Sequence, residues 1–262
     1  MDTPTRKALN AINLAFYARH AEAFSDTREH PWPGWDRFLA RFAERAPEAA
    51  GAVSRVLDFA CGNGRFAGHL ADRHPTAIDY CGVDASAPLL REAQKRCQPL
   101  TRAKLVEADW VLEATANAIP TGPFDLVVAF GALHHVPGFE ARREIVRALA
   151  ERVAPGGLLA IAFWRFGAPE HAERFAVRMA PLRETAPCYG FDPGDLEAGD
   201  HLLRWGDASH RYCHYSDDTE IEALLAGLAL ERVDSFLADG RGGNLNRYEL
   251  LGRSAAPLPR NG

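Results

Sequence analysis

Residues 54–65 read S-R-V-L-D-F-A-C-G-N-G-R, from Ser54 to Arg65. Val56, Leu57 and Phe59 flank Asp58, and two glycines, Gly62 and Gly64, follow within six residues. A short apolar run closed by glycines is a buried strand, here 54–60, entering a tight turn. A helical pattern over 64–73 comes next. The same alternation repeats downstream. Strands are expected at 77–84, 103–109, 124–130 and 157–164. Helices are expected from near Pro88 and over 139–153, where Pro155 and Gly156 enforce the stop. Strands this continuously apolar, alternating with helices, indicate a parallel sheet covered on both faces. The fold class is α/β, a doubly wound, seven-stranded, mostly parallel sheet of the Rossmann-like kind.

The remaining segments fit around that core. Residues 4–24 read as a helix with Leu9, Ile12, Phe16 and Ala23 on one face. Pro31 and Pro33 break the pattern, and a second helix covers 35–46. A helix at 217–227 and strands at 228–236 and 246–252 close the chain, the last two as an antiparallel hairpin around a Gly-rich turn. One domain is expected over 1–253. Residues 1–50 form a helical substrate-pocket element, and 54–164 form the cofactor-binding core. Residues 165–211, irregular and punctuated by Pro and Gly, make a cap or lid. Residues 212–253 complete the sheet, and 254–262 form a disordered tail.

Bulk properties exclude several classes. The 262 residues carry a formal net charge of −5, so no overall basic field attracts nucleic acid. The five cysteines form no C-x-x-C pair, which argues against a disulfide framework or a structural metal site. The N-terminus lacks the apolar stretch of a signal peptide. No run approaches the ~20 apolar residues of a membrane span. A cytoplasmic protein without a metal or a membrane partner is expected.

The turn after the first strand places its ligand at the carboxyl ends of the strands, where the sheet order reverses. Gly62-x-Gly64-x-x-Ala67 alone fits a dinucleotide fingerprint loosely. Asp58 decides against that: a carboxylate there repels a pyrophosphate and attracts the ammonium of S-adenosyl-L-methionine, which also carries a sulfonium. Asp84, ending the second strand, suits two ribose hydroxyls. Asp109, ending the third, suits an adenine amino group, with Trp110 packing on the ring. Aspartates are common at strand ends as turn residues, but three in succession behind this glycine turn form a constellation. Ala60 and Ala85, in the same two turns, complete the expected cofactor set.

This pattern resembles the class I S-adenosylmethionine-dependent methyltransferases over 54–164. The stretch from Phe16-Tyr17 through Ser25-x-Thr27-Arg28-x-x-Pro31-Trp32-Pro33 narrows the likeness. So do Leu133-His134-His135-Val136, Arg142-Arg143, and Arg211-Tyr212-Cys213-His214-Tyr215. Together they resemble the tRNA wobble-uridine carboxymethyl methyltransferases, which methylate a carboxylate. The resemblance implies an acceptor pocket lined by Tyr17, Arg28, His135 and Arg143. Arg28 would hold the carboxylate as a planar, bidentate cation. His135, the better placed of the two adjacent histidines, would orient the acceptor. Two acceptors follow: 5-carboxymethyluridine in tRNA, or a small metabolite, for which His135 would serve as general base if a proton must leave.

The chain departs from the eukaryotic enzymes after strand five. Their segment there is long and basic, whereas residues 165–211 here hold six arginines and eight acids. Those enzymes also need an activator subunit, which no residue of this sequence indicates.

Overall fold

The computed structural model describes residues 1–45, 53–73, 77–111, 118–206 and 209–255. Its centre is a seven-stranded sheet. In chain order the strands are β1 (Val53–Phe59), β2 (Ala77–Asp84), β3 (Arg102–Glu107), β4 (Phe124–Phe130), β5 (Val153–Trp164), β9 (Glu231–Ala238) and β10 (Asn246–Gly252). They lie in the order β3-β2-β1-β4-β5-β10-β9. β1 pairs in parallel with β2 on one side and β4 on the other, so the order reverses beside β1. β10 runs antiparallel to both of its neighbours. Asp58 stands level with Gly82 of β2 and Val128 of β4, which puts its carboxyl end in the reversal crevice.

Helices cover both faces. α3 (Arg65–Arg73) and α4 (Ala87–Arg96) follow β1 and β2, and α5 (Phe139–Glu151) leads into β5. α4 starts where Ser86 caps Leu89 N, with Pro88 in its first turn. α2 (Gly34–Ala43) buries Trp35, Phe38 and Phe42 against Val56, Tyr80 and Leu126. Each fully buried ring of this kind contributes about 1.5–3 kcal/mol, enough to anchor a ten-residue helix. On the other face Leu57, Phe59, Val127 and Ile161 pack with Ile145 and Leu149 of α5.

The expectation of an irregular cap is corrected by a second sheet. β6 (Met179–Ala180), β7 (Asp200–Trp205) and β8 (Ser209–His214) form an antiparallel meander, with α6 (Ala172–Ala176) and α7 (Leu182–Tyr189) before β7. These strands are too short to show an alternation in sequence. α1 (Thr3–Asp26) seals the meander: Leu9 and Ile12 pack on Leu202 and Tyr212. The final hairpin begins three residues later than expected, after Gly227 turns at φ +73°. Strand three ends at Glu107, so Asp109 lies just beyond it. Residues 256–262, most of the expected tail, lie outside the described residues. Among the described residues no helix is long and apolar enough to cross a membrane.

Candidate active site

The carboxyl ends of β1, β2 and β3, the region after α1, and the cap enclose one cleft of about 870 Å³. Asp58, Ala60, Gly62, Asp84, Ala85, Asp109 and Trp110 all line it. Ala60 takes φ +61° and Gly62 φ +55°. A side chain at +61° is strained, and such strain gathers at functional turns. A Cβ built on Gly62 would meet nothing within 4 Å, so backbone there is bare toward the cleft.

Gly64 corrects the expected cofactor set. It does not line the cleft. Its φ is +72°, and a Cβ there would stand 2.8 Å from the backbone of Ala93 in α4. Its role is close packing between the turn and α4.

The three acids differ in environment. Asp58 is 2% exposed and accepts a 2.6 Å hydrogen bond from the Tyr80 hydroxyl. Burial pushes its carboxyl up to about 7, against the lowering effect of that bond. Asp84 accepts from Gly62 N at 2.8 Å and Ser86 N at 2.9 Å. Burial still raises it to about 6. Asp109 accepts from Asn10 Nδ2 of α1 at 2.8 Å and from Val111 N at 3.1 Å. Trp110 packs its ring 4.7 Å from that of Phe59. A buried carboxyl held near neutrality, next to bare backbone, suits a cationic ligand. Asp58 and Gly62 would hold the methionine end of the donor, Asp84 the ribose, and Asp109 with Trp110 the adenine.

The opposite part of the cleft is built from α1, β8 and the short turn holding His134 and His135. His135 Nδ1 lies 2.9 Å from the Tyr212 carbonyl, which only accepts, so Nδ1 carries the proton. Nε2 therefore accepts from the Tyr17 hydroxyl at 2.8 Å. Asn13 braces this strand by accepting from Tyr212 N at 2.8 Å. Burial, reinforced by the charge of Arg211, pushes His135 down to about 3. Burial pushes the Tyr17 hydroxyl up to about 12. His135 is thus neutral, with Nδ1 held by the Tyr212 carbonyl and Nε2 by the Tyr17 hydroxyl. His134 also lines the cleft, its ring 5.2 Å from that of Trp164.

Two arginines stand near this pair. Arg28 is half-buried, its guanidinium 4.7 Å from the Phe24 ring and 3.2 Å from Thr27 Oγ1. Arg211, on β8, is 7% exposed. Its guanidinium sits 5.2 Å from the ring of Trp164 and 5.8 Å from those of Phe16 and Trp205. Its Nε is buried without a hydrogen-bond partner. No carboxylate among the described residues pairs with Arg28 or Arg211. Sequence reasoning quoted Arg211 within a motif but assigned it no role. Its only signal was an arginine in an otherwise buried strand.

Arg143 is a correction. It does not line the cleft. It lies on the outer side of α5, 2.6 Å from Glu140. The helix turns Arg142 inward instead, where it is wholly buried and bonded to Glu197, Glu220 and the Val136 carbonyl. Neither arginine of the pair lines the cleft.

Residues 56–157 match the family model described as a methyltransferase domain. That match covers about two fifths of the chain. The chain is 31% identical over 156 residues to trans-aconitate 2-methyltransferase of Streptomyces avermitilis, covering 59% of this chain and 52% of that protein. It is 30% identical over 149 residues to tRNA (carboxymethyluridine(34)-5-O)-methyltransferase ALKBH8 of Mus musculus, covering 56% of this chain and 19% of that protein. The chain thus spans at most about half the length of these curated relatives. In fold it is similar to the magnesium protoporphyrin IX methyltransferase of Synechocystis PCC 6803. The TM-score is 0.60 at 14% identity, covering 94% of this chain and 99% of that one.

Proposed function

We propose that this chain transfers a methyl group from S-adenosyl-L-methionine to a carboxylate oxygen of an acidic acceptor. One observation carries the reading: among the described residues Arg211 is a buried guanidinium without a carboxylate partner, in the same cleft as Asp58, Asp84 and Asp109. An unpaired buried cation is costly, and an anionic acceptor removes that cost. Bound S-adenosyl-L-methionine supplies an electrophilic methyl carried on a sulfonium.

The residues fit the needs of that chemistry. A carboxylate is ionised at neutral pH, so no group has to take a proton, and neutral His135 is no obstacle. The carboxylate oxygen forms a bond to the methyl carbon as the carbon–sulfur bond breaks and its electron pair stays on sulfur. One positive and one negative charge disappear, giving a neutral ester and a neutral thioether. Arg28 and Arg211 hold the acceptor, and aromatic walls exclude water. Tyr17, fixed by His135, sets the position of Arg211, whose charge lies beside its hydroxyl. Catalysis is then mainly positioning.

Two acceptors are supported by different observations. The likeness to a tRNA carboxymethyluridine methyltransferase favours a modified wobble uridine. The acidic balance of residues 165–211 favours a small acid, because RNA binding relies on phosphate neutralisation. Filter binding of bulk tRNA at low salt separates them. Retention that weakens steeply with salt supports the tRNA acceptor, and no retention rules it out. Nucleoside mass spectrometry of a deletion strain gives the second readout. Carboxymethyluridine accumulates only if tRNA is the acceptor.

A further inference from the structure

Two more arginines stand where the acceptor end of the cleft opens to solvent. Arg174 lies in α6 and Arg178 just past its end, and both line the cleft while remaining exposed. Arg178 N donates to the Phe175 carbonyl at 2.8 Å, a turn that folds the chain back at the helix end. Their guanidinium groups flank the buried Phe175 ring, at 5.2 and 6.0 Å from its centroid. No carboxylate among the described residues pairs with either. The nearby Glu170 is taken by Arg165 at 2.6 Å. Arg178 and Arg211 both act on Arg28 as like charges. Four guanidinium groups therefore share one end of a cleft without a described counter-charge.

One carboxylate is too small to answer this arrangement. Its two oxygens can be satisfied by Arg28 and the buried Arg211, which leaves the outer, exposed pair facing water. We propose that the acceptor is a small di- or tricarboxylic acid, whose second carboxylate is held by Arg174 and Arg178 while the first is methylated beside Arg28 and Arg211. The proposal rests on the carboxylate-methylation reading. The product is a monomethyl ester. The second carboxylate stays ionised, and no proton moves. Two anchors of unequal depth also select which carboxylate reacts, because only the group at Arg211 reaches the donor.

The test is calorimetric binding to the full chain saturated with S-adenosyl-L-homocysteine. It uses acid pairs matched in skeleton: pentanoate and glutarate, butyrate and succinate, benzoate and isophthalate. In at least one pair the diacid is expected to bind roughly ten- to a hundredfold more tightly, the worth of one charge-assisted contact. In the Arg174→Ala/Arg178→Ala double variant that ratio is expected to fall to about one. Circular dichroism confirms that the variant is folded. Equal binding of mono- and diacids in every pair, or an unchanged ratio in the double variant, overturns the second-anion site and leaves carboxylate methylation standing. Failure of every acid to bind overturns both. Tighter binding of an RNA oligonucleotide bearing carboxymethyluridine than of any diacid overturns the small-acid class.

Discussion

At the scale of single residues the site divides by charge. Asp58 is raised to about 7 by burial. A cationic ligand beside it favours the ionised form and lowers that value on binding. Below about pH 7 the free protein holds Asp58 protonated, so donor binding must release a proton. Affinity for S-adenosyl-L-methionine should therefore fall as pH drops from 7 to 5.5, and level off above 7. Calorimetry across that range checks the slope, with Asp58→Asn as the control, which should keep only the smaller slope from Asp84, raised to about 6. A flat wild-type profile would show that Asp58 does not face the cation. On the acceptor side, Arg211→Met keeps most of the bulk and removes the charge. Turnover should drop roughly ten- to a hundredfold or more, the scale of a lost charge-assisted contact, with donor affinity little changed. Arg28→Ala should behave alike. Loss of donor binding in either variant would move that arginine to the other end of the cleft.

At the scale of elements, two glycines of one turn have opposite duties. Gly64→Ala would press a Cβ to 2.8 Å from the backbone of Ala93, at a φ of +72°. The cost should be about 1–3 kcal/mol of stability, typical of overpacking, read as a lower unfolding midpoint. Gly62→Ala meets no neighbour within 4 Å. It should cost about 1 kcal/mol from its positive φ but weaken donor affinity more than Gly64→Ala does. If both variants lose stability equally and bind donor equally, the division of roles is wrong. Legibility followed the same lines. The acids at the ends of β1 and β2, and Asp109 just past β3, could be placed because each belongs to a strand–turn unit that local sequence defines. Arg142 and Arg143 could not be told apart, because one residue of helix phase decides which is buried. Arg211 could not be recognised at all: its environment comes from α1, nearly 200 positions earlier in the chain.

For the molecule as a whole, the central sheet was readable because β4 and residues 158–163 of β5 are continuous apolar runs. The cap meander was not, since β6 spans two residues and β7 and β8 six each. Its pairing depends on burial against α1 rather than on local pattern. That docking is polar as well as apolar. Asn10 of α1 bonds Asp109, and Asn13 bonds Tyr212 N of β8. One helix therefore ties the Asp109 end of the cleft to the His135 end. Asn13→Leu should loosen the acceptor end and raise KM for the acceptor several-fold, while the donor Kd stays within about twofold. A shift confined to the donor Kd would contradict this division.

The central claim concerns which atom receives the methyl group, and its chemical lability reports that directly. The protein is incubated with methyl-labelled S-adenosyl-L-methionine and separated small-molecule and RNA fractions from cells lacking it. The labelled product is then treated with mild alkali. A carboxylate acceptor predicts an ester, which releases its label as methanol. Label that survives alkali as an ether or a methylamine would contradict the account.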